Sequence, residues 1–226
     1  MFEILIVLGT ISSIGMALSP ISAMMSIFNS KSVGSFTIFP YISTLCQCVL
    51  WITYAAIAEG KRGLYPSNIL VGTIEAIYCV IFIKYAGERL SQLIIIITLS
   101  LASLTGTIVM SFYFTSKPSD WIGLFASVSN LLMYAAPLAI VKTVVETKSD
   151  ENMPFFLSLV GTIASIVWTA WGVSVNDIFV LIPNAIGIAL GLAQLAVYYK
   201  YRHGNKTKIT VEPDEAATVE TSPLIR

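Results

Sequence analysis

Seven apolar segments, each long enough to cross a lipid bilayer, dominate the 226-residue chain and limit the folds open to it. A transmembrane helix needs about 20 mostly apolar residues, and the segments cover residues 4–28, 40–58, 66–85, 90–114, 122–145, 154–174 and 178–199. Only 12% of the residues are charged and the mean hydropathy is +0.80, whereas soluble domains carry about 25% charged residues. We therefore expect an all-α membrane protein with seven transmembrane helices in a lipid bilayer, the first of them retained rather than cleaved as a leader.

The few charged groups argue against nucleic acid as a partner and orient the chain in the bilayer. Basic and acidic residues balance to a net charge of zero, so no excess of positive charge would attract nucleic acid.

Seven crossings put ten of the Lys and Arg residues on one side and three on the other. Because cytoplasmic loops carry the excess of Lys and Arg, we expect the N-terminus to be outside or lumenal and the C-terminus to be cytosolic.

The reactive residue types form no pattern that would support catalysis or metal binding. Cys46, Cys48 and Cys79 lie in apolar segments, and the single histidine, His203, lies after the last one. We expect the cysteines to pack as small apolar residues. We predict no catalytic residue, no metal site and no cofactor, and the chain is not expected to be an enzyme.

The sequence contains an internal repeat. Five pairs recur in the same order, 114 to 117 positions apart: Pro20 and Pro137, Lys31 and Lys148, Pro40 and Pro154, Trp51 and Trp168, and Asn68 and Asn184. Each repeat spans three helices, and the fourth span matches neither, so it returns the second repeat to the orientation of the first. We predict parallel three-helix repeats at 1–88 and 117–203, a linker helix at 89–116 and a disordered tail at 204–226. Parallel repeats of this kind are found in transporters.

The four repeated prolines, Pro20, Pro40, Pro137 and Pro154, are predicted to lie in the cytosolic half of the bundle. Proline removes a backbone hydrogen bond and bends a helix, although membrane helices and helix starts tolerate it. Because the four are symmetric about one axis, we predict that they are the hinges of a gate.

The repeated asparagines and tryptophans indicate a binding site between the repeats. An amide offers two donors and an acceptor to the hydroxyls of a neutral sugar, and an aromatic face suits the C–H-rich face of a pyranose. A helix cap or an interhelical hydrogen bond would explain a single asparagine better than a matched pair. The predicted substrate-binding residues are Trp51, Asn68, Trp168 and Asn184. Gln47 and Ala164, one turn before the tryptophans, are predicted to form the pocket wall.

Glu75 is the one acidic residue well inside a predicted span. A proton-coupled carrier needs a buried carboxylate with a relay partner. We interpret Glu75, with Tyr78 nearby, as a hydrogen-bonded structural group instead.

On these motifs the chain resembles the SWEET (MtN3/saliva) family of sugar transporters, to about residue 203. In the first repeat the resemblance rests on Ser19-Pro20, Lys31-Ser32, Pro40, Trp51, Tyr54, Asn68, Glu75 and Tyr78. In the second repeat it rests on Ala136-Pro137-Leu138, Thr147-Lys148-Ser149, Met153-Pro154-Phe155, Trp168, Pro183-Asn184, Gly187 and Gln194. It implies bidirectional, uncoupled transport of mono- or disaccharides by alternating access, with a proline gate and a central pocket. Tyr54-Ala55 and Trp171-Gly172 depart from the family's usual Tyr-Gly, and Ala136 replaces its usual Ser.

Two other seven-helix classes make different predictions. A PQ-loop amino-acid carrier would have a Pro-Gln pair and a buried acid for proton coupling, whereas the second repeat has Pro183-Asn184. A seven-helix receptor would not need two matched repeats and would carry no substrate flux.

The end of the chain resembles an acidic dileucine sorting signal, formed by Glu220, Leu224 and Ile225. A clathrin adaptor would recognise such a signal, which directs proteins to endosomal, lysosomal or vacuolar membranes rather than the plasma membrane. The sequence leaves open which sugar is carried, which membrane holds the protein, and whether it is a homo-oligomer.

Overall fold

The computed structural model describes residues 2–149 and 153–202, and helices make up most of this part of the chain. The helices are α1 (Phe2–Ala17), α2 (Ile21–Ser30), α3 (Phe39–Ile57), α4 (Tyr65–Lys84), α5 (Leu90–Phe114), α6 (Pro118–Met133), α7 (Ala135–Thr147), α8 (Phe155–Ser174) and α9 (Ile178–Tyr201). Short 3₁₀ turns, Arg62–Leu64 and Gly87–Arg89, lead into α4 and α5.

Within the described residues, seven helical segments are long and apolar enough to cross a membrane, as the sequence predicts. The first segment combines α1 with α2, the fifth combines α6 with α7, and each of the others contains a single α-helix. The fifth begins at Pro118, four residues before its predicted start, because proline is favourable in the first turn of a helix. Many large apolar side chains are exposed, including Leu99 and Phe114 of α5, as a lipid-facing surface requires.

The helices pack as two three-helix units with the same arrangement. In the first unit α4 packs between α1 and α3, and in the second α9 packs between α6 and α8. The units meet where α1 packs on α8 and where α3 packs on α6. Helix α5 packs on α3 and α6. This is the 3+1+3 arrangement expected from the repeat, with the linker helix beside the bundle.

The backbone repeats as well as the helix order. Helices α2 and α7 both end on a lysine in the left-handed conformation, Lys31 with φ of 55° and Lys148 with φ of 54°. A left-handed residue is a common way to end a helix. Gly60 and Asn176, in the turns before α4 and α9, also have positive φ, at 72° and 48°. Equivalent residues therefore end one helix and precede another helix in both repeats.

The prolines act in two different ways on the helices. Pro20 lies in the break between α1 and α2, and Pro137 lies in the first turn of α7, just after the break at Tyr134. Pro40 lies in the first turn of α3, and Pro154 immediately precedes α8. Proline is tolerated at a helix start because the first N–H groups have no helical partner. Of the four prolines, only Pro20 and Pro137 therefore interrupt a membrane span.

Two buried clusters occupy opposite ends of the bundle. At one end, residues from both repeats pack together, among them Tyr54, Leu64, Ile122, Trp171 and Val180. The other cluster contains residues of the first repeat and the start of α5. All three cysteines are unbridged; Cys48 and Cys79 are buried and Cys46 is half-buried, so they pack as small core residues. The repeats are thus joined through a shared core at one end only.

Candidate functional site

A central cavity of about 550 Å³ lies between the two repeats. Its lining includes every substrate, wall and gate residue predicted from the sequence: Pro20, Pro40, Gln47, Trp51, Asn68, Pro137, Pro154, Ala164, Trp168 and Asn184. Pockets for small molecules have volumes of about 300–1,000 Å³. The structure therefore brings ten residues from six helical segments to one cavity of suitable size.

Asn68 and Asn184 have the same geometry in the two repeats. The side-chain Nδ2 of each donates to the backbone carbonyl four residues earlier, to Leu64 and Val180 respectively, and both distances are 2.8 Å. Each side chain is half-buried and lines the cavity. One N–H of each amide is thus used to fix its orientation, Asn68 Nδ2 also contacts Ser67 Oγ at 3.5 Å, and the Oδ1 acceptor of each amide is left for a ligand.

Helix α9 is adapted to its internal proline. Pro183 has no N–H to donate to the carbonyl of Phe179, one turn earlier. The Ser127 hydroxyl of α6 lies 2.6 Å from that carbonyl and 2.8 Å from the Gly123 carbonyl of its own helix, so its one proton is shared between the two. This contact holds α6 against α9 one turn from Asn184.

Trp51 and Trp168 are buried in the cavity wall, with 7% and 8% of their surface exposed. Each packs edge-on against an aromatic residue three positions later: Trp51 against Tyr54 at 5.7 Å and Trp168 against Trp171 at 5.8 Å between ring centroids. The indole N–H of Trp168 also donates to the Ser13 hydroxyl at 3.2 Å, across the repeat interface. The two tryptophan rings are thus held by equivalent edge-on contacts, and Trp168 is also held by a hydrogen bond.

The polar lining breaks the symmetry at two places, and only one of them was singled out from the sequence. Gln47 and Ala164 are both buried, so the wall is polar on one side and apolar on the other. Asn130 also lines the cavity, 117 residues after Ser13. The repeat offset applied to the first helix of each repeat could have identified this pair.

A network of charged and polar groups joins the repeats at the end of the cavity away from the four prolines. Asp177 is 2% exposed and caps α9 by accepting from the backbone N–H groups of Phe179 and Val180. The Tyr54 hydroxyl donates to Asp177 Oδ2 at 3.0 Å, and Lys61 Nζ lies 3.6 Å from the same oxygen. Lys61 Nζ also donates to the Val175 carbonyl at 2.7 Å. We call Tyr54, Lys61, Val175 and Asp177 the Asp177 network.

The Asp177 network was not predicted from the sequence. The repeat offset of Asn68 and Asn184, applied to Lys61, leads to Asp177 and would have identified the pair. Their opposite charges at equivalent positions were a visible sign of contact.

Two glycines allow close contact between the repeats near this network. A Cβ on Gly9 of α1 would lie 2.8 Å from Cε2 of Trp168, and a Cβ on Gly123 of α6 would lie 2.7 Å from Cδ2 of Phe179. The Gly123 Cβ would also lie 2.9 Å from Cε2 of Tyr54 in α3. Real Cβ contacts are not this short, so these positions require glycine for the repeats to meet as they do.

The end of the cavity lined by the four prolines, the proline end, is built differently. Here α2 packs on α4 and α7 packs on α9, so each bent segment packs within its own repeat. Pro40 and Pro154 line the cavity and are nevertheless exposed. The cavity is therefore closed at the Asp177 network and open at the proline end.

The interpretation of Glu75 as a hydrogen-bonded structural group is wrong. Its carboxylate oxygen Oε2 is buried without a hydrogen-bond partner among the described residues. The Tyr78 hydroxyl, the expected neighbour, donates to the Ala17 carbonyl at 3.1 Å instead. The sequence places Tyr78 close to Glu75 on α4, but the direction of the hydroxyl depends on where α1 packs.

Three sequence predictions lie outside the described residues. They are the disordered tail at 204–226, the sorting signal at Glu220, Leu224 and Ile225, and the position of His203. Among residues 2–149 and 153–202, no group of three His, Cys, Asp or Glu side chains could hold a metal ion.

Comparisons with known proteins agree with one another. The MtN3/saliva family model, described as a sugar efflux transporter for intercellular exchange, matches residues 3–90 and 120–206. The bidirectional sugar transporter SWEET7 of Arabidopsis thaliana is 32% identical over 231 residues, covering 97% of this chain and 88% of that protein. SWEET5 of the same plant is 34% identical over 206 residues, covering 86% and 84%. A solved structure of a eukaryotic SWEET transporter has a TM-score of 0.83 and 26% identity, covering 89% of this chain and 97% of that one.

Proposed function

This chain belongs to the SWEET (MtN3/saliva) family of transporters, and we propose that it carries a neutral mono- or disaccharide across a membrane in either direction, uncoupled from an ion. Its relatives are named bidirectional sugar transporters. A transporter of this kind catalyses no covalent reaction and needs no cofactor.

The observation that best supports a sugar substrate is the matched asparagine pair in the cavity. Each amide is fixed by a hydrogen bond of 2.8 Å and keeps its Oδ1 acceptor for a ligand, and Asn184 also keeps its second N–H. Among the described residues, no Lys, Arg or His lines the cavity, so an anionic substrate would meet no counter-charge from them. Hydroxyl groups suit such amides, and Trp51 and Trp168 add apolar surface for a sugar ring. The two tryptophans narrow the pocket and favour a hexose.

We propose that transport proceeds by alternating access, which the difference between the two ends supports. The Asp177 network and the shared core close one end, while the proline end is open. Movement of α2 about the break at Pro20 and of α7 about the break at Tyr134 and Pro137 would close the proline end. Opening then requires the Asp177 network to break. We assign the two halves of the transport cycle to these two rearrangements.

The proline end faces the cytosol in our assignment. The predicted cytosolic side carries ten basic residues: Lys31, Lys84, Arg89, Lys142, Lys148, Lys200, Arg202, Lys206, Lys208 and Arg226. The opposite side carries Lys61, Arg62 and Lys117. An excess of this size favours a cytosolic C-terminus and an N-terminus outside or in a lumen.

The finer assignments of location and assembly rest on sequence alone. We infer that the tail signal at Glu220, Leu224 and Ile225 binds a clathrin adaptor and selects an endosomal, lysosomal or vacuolar membrane. Relocation of a tagged chain to the plasma membrane after truncation of the tail would support it, and an unchanged location would remove it. The domain division at residues 88, 116 and 203 stays a prediction, and the sequence leaves open whether the chain forms a homo-oligomer.

Uptake of labelled sugar in cells that lack hexose transporters tests the proposed function. We expect uptake that follows the sugar gradient, ignores a proton gradient and falls at least tenfold in Asn68→Ala and in Asn184→Ala. Asn29→Ala is the matched control, because Asn29 is exposed at the end of α2. Normal membrane expression with no flux for any mono- or disaccharide would overturn the proposal and favour a receptor. Proton-driven uptake of an amino acid would favour the PQ-loop carrier.

A further inference from the structure

Glu75 is the cavity group whose position has no structural explanation. It lies on α4, two turns after Asn68 and about 10 Å further toward the proline end. It is 5% exposed, it lines the cavity, and its Oε2 has no hydrogen-bond partner among the described residues. A buried polar atom without a partner is rare and calls for an explanation, such as a role in binding.

Two hydroxyl groups of α3 and α4 donate to backbone carbonyls rather than to Glu75. Tyr78 donates to the Ala17 carbonyl at 3.1 Å. Thr44, on the facing helix α3, donates to the Pro40 carbonyl at 2.9 Å. The neighbouring Tyr41 ring packs edge-on against Tyr78, with 5.6 Å between centroids. Glu75 therefore does not serve to hold these side chains, and its carboxyl is left for whatever enters the cavity.

The second repeat has no counterpart to this carboxyl. The offset that relates Asn68 to Asn184 relates Glu75 to Gly191. The Thr162 hydroxyl contacts the space where a Cβ on Gly191 would lie, so no side chain fits there. The cavity thus has two matched amides but a carboxyl on one wall only.

We propose that the Glu75 carboxyl is a further sugar-binding group, which hydrogen-bonds a hydroxyl of the substrate between the asparagine pair and the proline end. This inference rests on the proposed transport function and adds to it a specificity-determining residue. Because only one wall carries the carboxyl, the sugar is bound in one preferred orientation although the repeats are symmetric. A sugar entering from the proline end meets Glu75 before it reaches Asn68 and Asn184.

A set of labelled deoxy sugars tests this role. The probes are a hexose that the wild-type chain transports and its derivatives that each lack one hydroxyl. In the wild type, we expect one derivative to have a KM about tenfold above the parent, since a hydrogen bond to a carboxylate is lost. In Glu75→Leu, the parent sugar and that derivative should have equal KM values, because the partner of the hydroxyl is gone. Glu146→Leu, on the exposed end of α7, is the matched control and should keep the wild-type preference.

Separate outcomes distinguish this inference from the proposed function and from a structural role. If the wild type transports no sugar, the proposed function fails and the inference fails with it. If the wild type transports sugar and Glu75→Leu discriminates among the derivatives as the wild type does, only the inference is overturned. Glu75→Leu removes an unpartnered buried carboxyl, so its Tm in detergent should equal or exceed that of the wild type; a lower Tm would indicate a structural role and overturn the inference. Uptake driven by a proton gradient in the wild type but not in Glu75→Gln would identify a proton site and also overturn it.

Discussion

Lys61 and Asp177 occupy equivalent positions in the two repeats, 116 residues apart, and their side chains form an ion pair of 3.6 Å across the repeat interface. The same offset separates Asn68 from Asn184 in the cavity. One symmetry thus supplies a pair of like side chains for binding and a pair of opposite charges for closure. The two positions are equivalent because each precedes the third helix of its repeat. Because the repeats are parallel, both positions lie at the same end of the bundle, where they meet.

Neutralising this pair should open the Asp177 end of the cavity. Asp177→Asn keeps a good helix N-cap but loses the charge that binds Lys61 and Tyr54, which costs about 1.5–3 kcal/mol. We expect a cysteine at Val71, in the cavity wall, to react at least tenfold faster with an impermeant thiol reagent applied from that side. The background chain has Cys46, Cys48 and Cys79 replaced. Glu146→Gln, which breaks the exposed pair with Lys142, is the control, and labelling that does not change in Asp177→Asn would contradict the closure role.

A methyl group on Gly123 should prevent the repeats from closing. Its Cβ would overlap Phe179 and Tyr54, and such overpacking costs about 1–3 kcal/mol. We expect Gly123→Ala to reduce sugar uptake severalfold at equal membrane expression. Gly106→Ala in α5 is the matched control, because a Cβ there meets nothing within 4 Å and alanine favours a helix by up to about 1 kcal/mol. Equal uptake by the two variants would show that the close contact is not needed.

Replacing Pro20 should stiffen the first span. Alanine restores an N–H that can bond the carbonyl of Met16 and continue α1 into α2. We expect Pro20→Ala to lower the maximal transport rate about tenfold with little change in KM, because the bend moves while the binding residues stay in place. Pro118→Ala, at the first residue of α6, should transport normally. A change confined to KM would place Pro20 in binding rather than in movement.

The hydrogen bond from Trp168 to Ser13 should make Trp168, but not Trp51, energetically coupled to Ser13. Trp168→Phe removes the donor to Ser13, a hydrogen bond with a net contribution of about 1 kcal/mol. Ser13→Ala should add little to that loss, whereas Ser13→Ala and Trp51→Phe should be additive in the free energy of unfolding. Thermal unfolding of the three single and two double variants in detergent measures the coupling. Additive losses in the Trp168 pair would indicate that the 3.2 Å contact contributes nothing.

The residues around the cavity could be predicted because they recur. Asn68 and Asn184 stand out by their spacing, and the spans around them are clear from apolar length alone. The lack of a hydrogen-bond partner for Glu75 Oε2 could not be predicted in this way. Tyr78 lies less than one turn away on α4, but its hydroxyl reaches the Ala17 carbonyl because α1 packs against α4 at that point.

The sequence by itself determined the seven spans, the order of three helices, linker and three helices, and the residue types available to a sugar. These follow from local length, hydropathy and repetition, which do not depend on how the helices pack. Only the tertiary structure decided that Tyr54, Lys61 and Asp177 close one end, that the proline end is open, and that Glu75 has no partner. Those features depend on distances between helices far apart in the chain, and side-chain directions across such contacts are set by packing.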